Sequence, residues 1–574
     1  MRDRKACGVR PTPFRRRWLV LLRVVFVGVL PMLCIVRLAY LQIWMHRDYL
    51  PLVYKQMVAT VEVSIPRGDI FDRSGRLVAT TLQEESVYVN TAEFTAGARC
   101  NPAVWDAVCD ALGVERKVFA RRINRERYFL VKADVPLSVS RSLHRIRGLD
   151  FVRTNRRVYP HGTLAAHAVG RTGADNRGYA GVEKYCDGWL AAATSRAVEV
   201  FRQGRSRRGT ARLVNAADAV AGETSNCTVT LTLDMRLQYV VEKVLADAYV
   251  SRDPQRVMCV VQEPATGEIL VMAVHPPTEF PISNPIVHQV FEPGSTFKAF
   301  SMAVFLQEGA VKPDTVVDCE NGRFRYAGHT VSDVHPNARL TMVEVMAKSS
   351  NIGMAKAWLL YADPDRFCGA LRLFGFGSLT GVELPGEQKG RVPTPQMSGW
   401  SAYQPVAMSF GQGVSVTALQ MVNAYSMLAN GGALMQPRLV KRITDECGRV
   451  VYEGRPEVIR RPLHPEVVAA IREMLHEVVE SGSAVGARLP DVAVCAKTGT
   501  AQKYDVAAGG YSMSRSLISV CGFFPKESPR YTVGIFFDEP RRGRLASDVA
   551  VPYFKRIVRE LLDADRQVLY AQAF

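Results

Sequence analysis

The strongest pattern along the chain is a continuous apolar run, WLVLLRVVFVGVLPMLCIV at residues 18–36, in which Arg23 is the only charge. A helix of about 20 such residues crosses the hydrocarbon layer of a membrane, and a charge near its end snorkels back to the interface. Arg15, Arg16 and Arg17 flank the run on its N-terminal side. Basic flanks stay in the cytoplasm, so residues 1–17 form a cytoplasmic tail, residues 18–38 a transmembrane anchor, and the rest is exported. A cleaved secretory signal is the competing reading. It is disfavoured by the length of the run and by the lack of a small-residue cleavage site before LAYLQIW.

Beyond the anchor the pattern shortens. Residues 45–225 alternate strand-like runs, VATVEVSIPRGDIFDRSGRLVAT, SVYVN and VEVFRQGRSRRGTARLV, with Arg-, Gly- and polar-rich turns. Asp72 to Gly75 reads as a tight turn, and the whole as an irregular β-rich module with no catalytic cluster. The run RQGRSRRG at 202–209 is a solvated loop on this reading, since it lacks the interleaved aromatics of a nucleic-acid patch.

At CTVTLTLDMRLQYVVEKVLADAYV the period changes from strand to helix, which places a second domain at 226–574. RVMCVVQEP and EILVMAVHP form a predicted hairpin around Ala265–Glu268. SLISVCGFFP and YTVGIFFDEP repeat the strand signature, and VPYFKRIVRELLDAD has helical periodicity. Strands at both ends of a long helical middle predict an α/β domain with a mostly antiparallel sheet flanked by helices.

The 574 residues are 48% hydrophobic and 22% charged, the composition of a globular chain. The net charge of +18 raises the question of nucleic acid, but residues 1–17 alone supply seven basic residues against one acidic. The remainder is spread thinly and suits an anionic membrane or cell-wall surface as well. Twelve cysteines show no metal-type C-x-x-C pair; Cys100 and Cys109 are spaced for a local disulfide but read equally as free thiols. The ten histidines form no H-E-x-x-H or other compact ligand string, and read as core, surface or hydrogen-bonding side chains.

Chemistry concentrates at three places. In FEPGSTFKAFSMAVFLQEGA, a helix is predicted from Ser295 to about Glu308, stopped by Gly309, with Ser295 and Lys298 on one face. A lysine that is poorly hydrated or crowded by positive charge is neutral enough to take a serine proton. Alone, the pair is better read as an N-cap serine beside a solvated lysine. In MAKSSNIGMAKAWL, Ser349 and Asn351 flank Ser350, a hydroxyl and an amide able to relay a proton and hold an amide carbonyl; a plain helix cap is again the simpler reading in isolation. In DVAVCAKTGTAQKY, Val492, Val494 and Ala496 alternate on an edge-strand candidate before Lys497, Thr498, Gly499 and Thr500. Lysine and hydroxyls suit a carboxylate, and the glycine permits close backbone approach. A phosphate-binding loop would need a G-x-x-x-x-G before Lys497, where the chain has VAVCA at 492–496.

Taken in order, S-x-x-K, S-x-N and K-T-G-T resemble the signature of penicilloyl-serine transferases. With EPGSTFKAF, GHTVSDVHP, KSSNIGMAK, FGQG at 410–413, AKTGTAQ, RGDIFDRSGRLVA at 67–79 and GYAGVEKYCDGWL at 178–190, the chain resembles a class B penicillin-binding protein of the division-associated peptidoglycan transpeptidase type. The resemblance implies a pedestal, or dimerisation-type, domain at 45–225 and a transpeptidase domain at 226–574. It implies that Ser295 attacks the D-Ala–D-Ala carbonyl of a stem peptide, with Lys298 as general base and Ser349 and Asn351 in support. Lys497, Thr498, Gly499 and Thr500 would bind substrate, and the backbone N–H groups of Ser295 and Thr500 would form the oxyanion hole. β-Lactams would acylate the same serine, and the implied scheme requires neither a metal nor an organic cofactor.

Implied partners are peptidoglycan stem peptides, a multispanning glycan polymerase and other divisome membrane proteins, with no nucleic acid. The implied place is the bacterial inner membrane at the division site, catalytic domain outward. An elongation-type transpeptidase, a D,D-carboxypeptidase and a non-enzymatic division scaffold are the alternatives. Cys495 departs from the family pattern without a role.

Overall fold

The computed structural model describes residues 13–45, 58–64, 66–98, 102–173, 175–191, 195–203, 212–213, 226–505 and 510–572. Its contacts divide the chain into two units, residues 1–64 with 195–223, and residues 65–194 with 224–574.

The first unit holds the apolar helix. It is continuous through Pro13–Arg23, Val24–Val29, Leu30–Ala39 and Tyr40–Trp44, the second and fourth stretches being π-helical. Val20–Trp44 is its apolar part, with a mean hydropathy of 2.3 and no buried residue. At 1.5 Å per residue those 25 residues span about 37 Å, enough to cross about 30 Å of hydrocarbon with some tilt. The first π stretch lies just before Pro31, whose missing N–H disrupts the regular ladder. In the same unit Val58–Ser64 pairs antiparallel with Ser195–Gln203, joining VATVEVS to VEVFRQ, and Arg212–Leu213 adds a third strand. Residues 204–209 of the basic run lie outside the described residues.

In the second unit a seven-stranded mixed sheet contains both pedestal strands and strands from beyond residue 226. The long strand Leu77–Asn90 pairs with Tyr128–Pro136 and Leu149–Val158, while Ile70–Phe71 runs parallel to Thr228–Leu231. The predicted turn forms between Ile70–Phe71 and Leu77–Asn90. Asp72 Oδ1 accepts from the backbone N–H groups of Ser74 and Arg76, and Gly75 takes a φ of +80°. Helices Pro102–Leu112, Arg116–Ile123 and Leu137–Leu143 pack on the sheet around Val87, Phe94, Phe119 and Phe129, adding helices to the irregular β-rich module read from the sequence. Each is two or three turns long, too short for an apolar stripe to stand out from the strand pattern. Cys109 is a buried free thiol, and Cys100 lies outside the described residues.

The rest of this unit is built on a five-stranded antiparallel sheet. Its strands are β1 (Arg256–Gln262), β2 (Ile269–His275), β3 (Cys495–Asp505), β4 (Gly510–Phe524) and β5 (Tyr531–Asp538), in the spatial order β2-β1-β5-β4-β3. The hairpin around Ala265–Glu268 forms as predicted, and β3 begins at Cys495, three residues after the first of the alternating positions. Tyr531–Asp538 is buried at every position because helices cover both faces of the sheet. On one face Gly534 admits Val422 of α4 (Ala418–Ala429), a helix buried all round. On the other, Phe537 meets Tyr553 of the C-terminal helix α5 (Val551–Gln572), which packs on α1 (Met235–Arg252). Alternate residues of one strand thus face different helices, as a period of two requires. Asp234 caps α1 by accepting from the N–H groups of Arg236 and Leu237.

Candidate active site

Ser295 stands at the junction of a turn and a buried helix. Gly294, at φ +58°, closes the Pro293–Gly294 turn; a 3-10 turn Gly294–Phe297 then runs into α2 (Lys298–Gln307), and Gly309 at φ +69° follows its end. The predicted helix therefore forms with a tighter first turn. Gly294 donates its N–H to Gly411 O at 3.0 Å, and a Cβ there would come within 3.1 Å of Thr500 O and Ala501 Cβ, so the turn is pressed against the edge strand β3. Around Ser295, Thr296 O accepts from the buried Tyr425 hydroxyl at 2.7 Å, and the Phe297 ring packs on Phe300 and Phe376. Ser295 is half-buried, and among the described residues its Oγ makes no hydrogen bond.

Two lysines meet at Ser349. Lys298, fully buried in the first turn of α2, donates from Nζ to Ser349 O at 2.6 Å and to Ser349 Oγ at 3.3 Å. Lys497 of β3, also fully buried, donates to the same Ser349 Oγ at 2.9 Å and to Thr498 O at 3.1 Å. Burial holds the Lys298 amine down to about 7, with Asp333 opposing. Burial, then the charge of Lys298, holds Lys497 well below the ordinary lysine range. The sequence supplies two cations; the fold makes it costly for both to carry charge at once.

Ser349 owes its place to how one helix stops and the next starts. Helix Met342–Ala347 ends in a Schellman motif: Ser350 N–H returns to Val345 O at 3.0 Å and Ser349 N–H to Met346 O at 3.3 Å, with Ser349 at φ +58°. Ser350 then caps α3 (Asn351–Tyr361), its Oγ accepting from Gly353 N–H at 2.8 Å. Asp333 holds the junction, accepting from Ser350 Oγ at 2.5 Å and from the backbone N–H groups of Asn351 and Ile352 at 2.6 and 3.0 Å. Asn351 turns its amide to Ser332 O at 3.1 Å.

On β3, Thr498 shares a 2.6 Å hydrogen bond with Ser483, and Thr500 is exposed at the open edge. Gly499 is required by space, because a Cβ would lie 2.8 Å from Ser519 Oγ and 2.9 Å from Thr296 Cγ2. Cys495, one turn of the pleat before Lys497, is buried with its Sγ directed to Arg472 O, and burial pushes its thiol up to about 12. It is an inert core side chain.

Of the eight residues read from the sequence, Lys298, Ser349 and Lys497 meet in one hydrogen-bonded cluster. Ser295, Asn351 and Thr498–Thr500 lie on the turn, helix start and strand that border it. Three further residues hold these in place. Asp333 lies within GHTVSDVHP but is linked to Ser350 by no local spacing; Ser483 follows a helix far from any motif. Glu292, next to the turn, accepts from Gly413 N–H at 2.9 Å and from Tyr511 OH at 3.3 Å, tying the FGQG loop and β4 to the segment that carries Ser295. Burial pushes its carboxyl up.

Comparison with known proteins bears on the same residues. Residues 257–559 match the penicillin binding protein transpeptidase domain, and residues 62–211 match the penicillin-binding protein dimerisation domain. The probable peptidoglycan D,D-transpeptidase PbpC of Pseudomonas aeruginosa is 28% identical over 92% of this chain and 92% of its own. The peptidoglycan D,D-transpeptidase FtsI of Escherichia coli is 29% identical over 87% of this chain and 84% of its own. Among solved structures, penicillin binding protein 3 from Mycobacterium tuberculosis, complexed with aztreonam, aligns with a TM-score of 0.67 and 27% identity, covering 88% of this chain and 97% of that one. With the transpeptidase match alone spanning more than half of the chain, the protein belongs to the penicillin-binding protein transpeptidase family and to the machinery of peptidoglycan synthesis.

Proposed function

We propose that the chain is a class B peptidoglycan D,D-transpeptidase of the division type, working through a serine acyl-enzyme. The observation that carries this reading is the meeting of Lys298 and Lys497 on one Ser349 hydroxyl, beside the turn that presents Ser295. A carboxylate arriving at Lys497, Thr498 and Thr500 draws positive charge to Lys497 and leaves Lys298 as the neutral amine. Lys298 then takes the Ser295 proton as Oγ bonds to the penultimate D-Ala carbonyl carbon, with the N–H groups of Ser295 and Thr500 receiving the developing oxyanion. The C–N bond breaks, the proton passes through Ser349 to the leaving amine, and D-Ala departs. An amine from a neighbouring stem then displaces Ser295 and completes the cross-link. Asn351 orients the stem amide.

In this reading residues 1–17 are cytoplasmic, 18–38 cross the inner membrane, 45–225 form the pedestal and 226–574 the extracytoplasmic transpeptidase domain. The glycan strands come from a multispanning polymerase met through the anchor and pedestal. The full chain, supplied with such a polymerase and lipid-linked precursor, is expected to yield cross-linked dimers with release of D-Ala, both lost in Ser295→Ala. Trimmed monomers without dimers would move the assignment to a carboxypeptidase. Depletion in the source organism should give filaments; rounded, unelongated cells would point to the elongation role instead.

A further inference from the structure

We propose that a cavity of about 400 Å3 walled by His167, Arg256, Ser283, Pro285, His288 and Gln289 is a second binding site, which takes a carboxylate-bearing part of the peptidoglycan strand. The inference rests on the transpeptidase reading for the identity of the strand, and on the cavity's own chemistry for the anion. The volume lies in the range of ligand pockets, about 300–1,000 Å3. The walls come from the short helix Ala166–Val169, from the first residue of β1 and from the segment that ends in helix Pro285–His288.

Arg256 brings a guanidinium to the wall, His167 and His288 bring imidazole rings, and none of the six wall residues is acidic. Arg256 gives one N–H to Gln289 Oε1 at 2.8 Å, and Gln289 passes its own amide N–H to Asp538 Oδ2 at 3.0 Å. Asp538 is also ion-paired with Lys503, so its charge is met away from the cavity and does not use up that of Arg256. His288 has Nδ1 against Gly386 O at 3.1 Å, which accounts for one ring nitrogen only.

His167 is the telling side chain. It is half-buried, and among the described residues neither ring nitrogen has a hydrogen-bond partner. Burial, with the neighbouring Arg256 in the same direction, holds its imidazole neutral down to about 4. An imidazole left open beside a guanidinium is suited to an incoming oxyanion, which satisfies both at once. In the segment that leads to the wall residue Ser283, Phe280 and Ile282 are 72% and 94% exposed, and Arg171 lies over the Phe280 ring. An anion cradle on a segment with exposed apolar side chains suits a sugar-peptide chain better than a bare inorganic ion. A strand held there is retained while one of its stems enters the Ser295 site.

The test uses the full chain in detergent micelles with Ser295 blocked beforehand by penicillin, or as Lys497→Ala, which removes the carboxylate partner on β3, so that the reacting site does not contribute. Calorimetry is run with a purified muropeptide carrying free peptide carboxylates, with the same muropeptide amidated at those groups, and with inorganic phosphate. The free-acid muropeptide is expected to bind, the amidated one to bind far more weakly, and Arg256→Gln to lower affinity by about tenfold or more, the scale of losing a desolvated charge partner. His288→Glu, at an exposed position, is expected to act in the same direction without lowering the unfolding temperature. No binding, or equal binding by the variants or by the amidated probe, overturns the site. Phosphate bound as tightly as muropeptide overturns the strand and leaves a free oxyanion as ligand. Absence of a penicillin adduct on Ser295 bears on the transpeptidase reading alone, because the cavity is scored by binding.

Discussion

Ser349 is a non-glycine residue in a left-handed conformation, at the helix-ending position where glycine is the usual occupant. Its strain costs about 1 kcal/mol relative to glycine, and the hydroxyl that two lysines share is the physical reason to carry it. Ser349→Gly should therefore leave the unfolding temperature unchanged or raise it, while slowing acylation by a labelled penicillin; a simple structural role would lower both. Lys298 gives a second prediction. Its amine is held to about 7 by burial, and only the neutral form accepts a proton, so the acylation rate should rise with pH through about 7 and level off above it. Lys298→Arg keeps a cation at every pH and should lose acylation by about 10²–10⁴-fold, the contribution of a positioned general base.

At the scale of elements, the site is a meeting of ends: the turn before α2, the break before α3 and the open edge of β3. Asp333 secures the second of these through three hydrogen bonds. Asp333→Ala should lower stability by about 1–2 kcal/mol, as loss of a helix cap does, and slow acylation further than thermal unfolding alone explains, because Ser349 is released with the cap. Gly499→Ala tests the third. With Ser519 Oγ and Thr296 Cγ2 under 3 Å from the new Cβ, the strand must move away from the Ser295 turn, and acylation should fall while the sheet survives in circular dichroism. These elements were legible in the sequence to different degrees. The hairpin of β1 and β2, the change from strand to helix that begins α1 and the Asp72 turn all came from local signals, because turn chemistry and apolar period act within a few residues. The helices Pro102–Leu112 and Arg116–Ile123 did not, being too short to show a period. The bonds of Asp333 to Ser350 and of Ser483 to Thr498 join residues far apart in the chain, and only folding brings them together.

At the scale of the whole molecule, the two motifs of the pedestal meet in a buried ion cluster. Arg67, from RGDIFDRSGRLVA, is 1% exposed and donates to Glu183 Oε2 at 2.6 Å and to Asp187, both from GYAGVEKYCDGWL. Arg157 joins Glu183 from the other side at 2.8 Å. Arg67→Ala leaves Glu183 buried with one partner fewer and should cost about 3–5 kcal/mol, read as a lower denaturant midpoint of the protein. The same fold that buries these charges delivers Lys298 and Lys497 to one hydroxyl, and the central claim is that this arrangement makes Ser295 the acylated nucleophile. The most direct measurement is to incubate the full chain with a labelled penicillin, locate the adduct by mass spectrometry and follow its decay. A long-lived adduct on Ser295, absent in Ser295→Ala and nearly absent in Lys298→Arg, is the predicted result. A folded protein that forms no adduct, or forms it on another residue, would contradict the account.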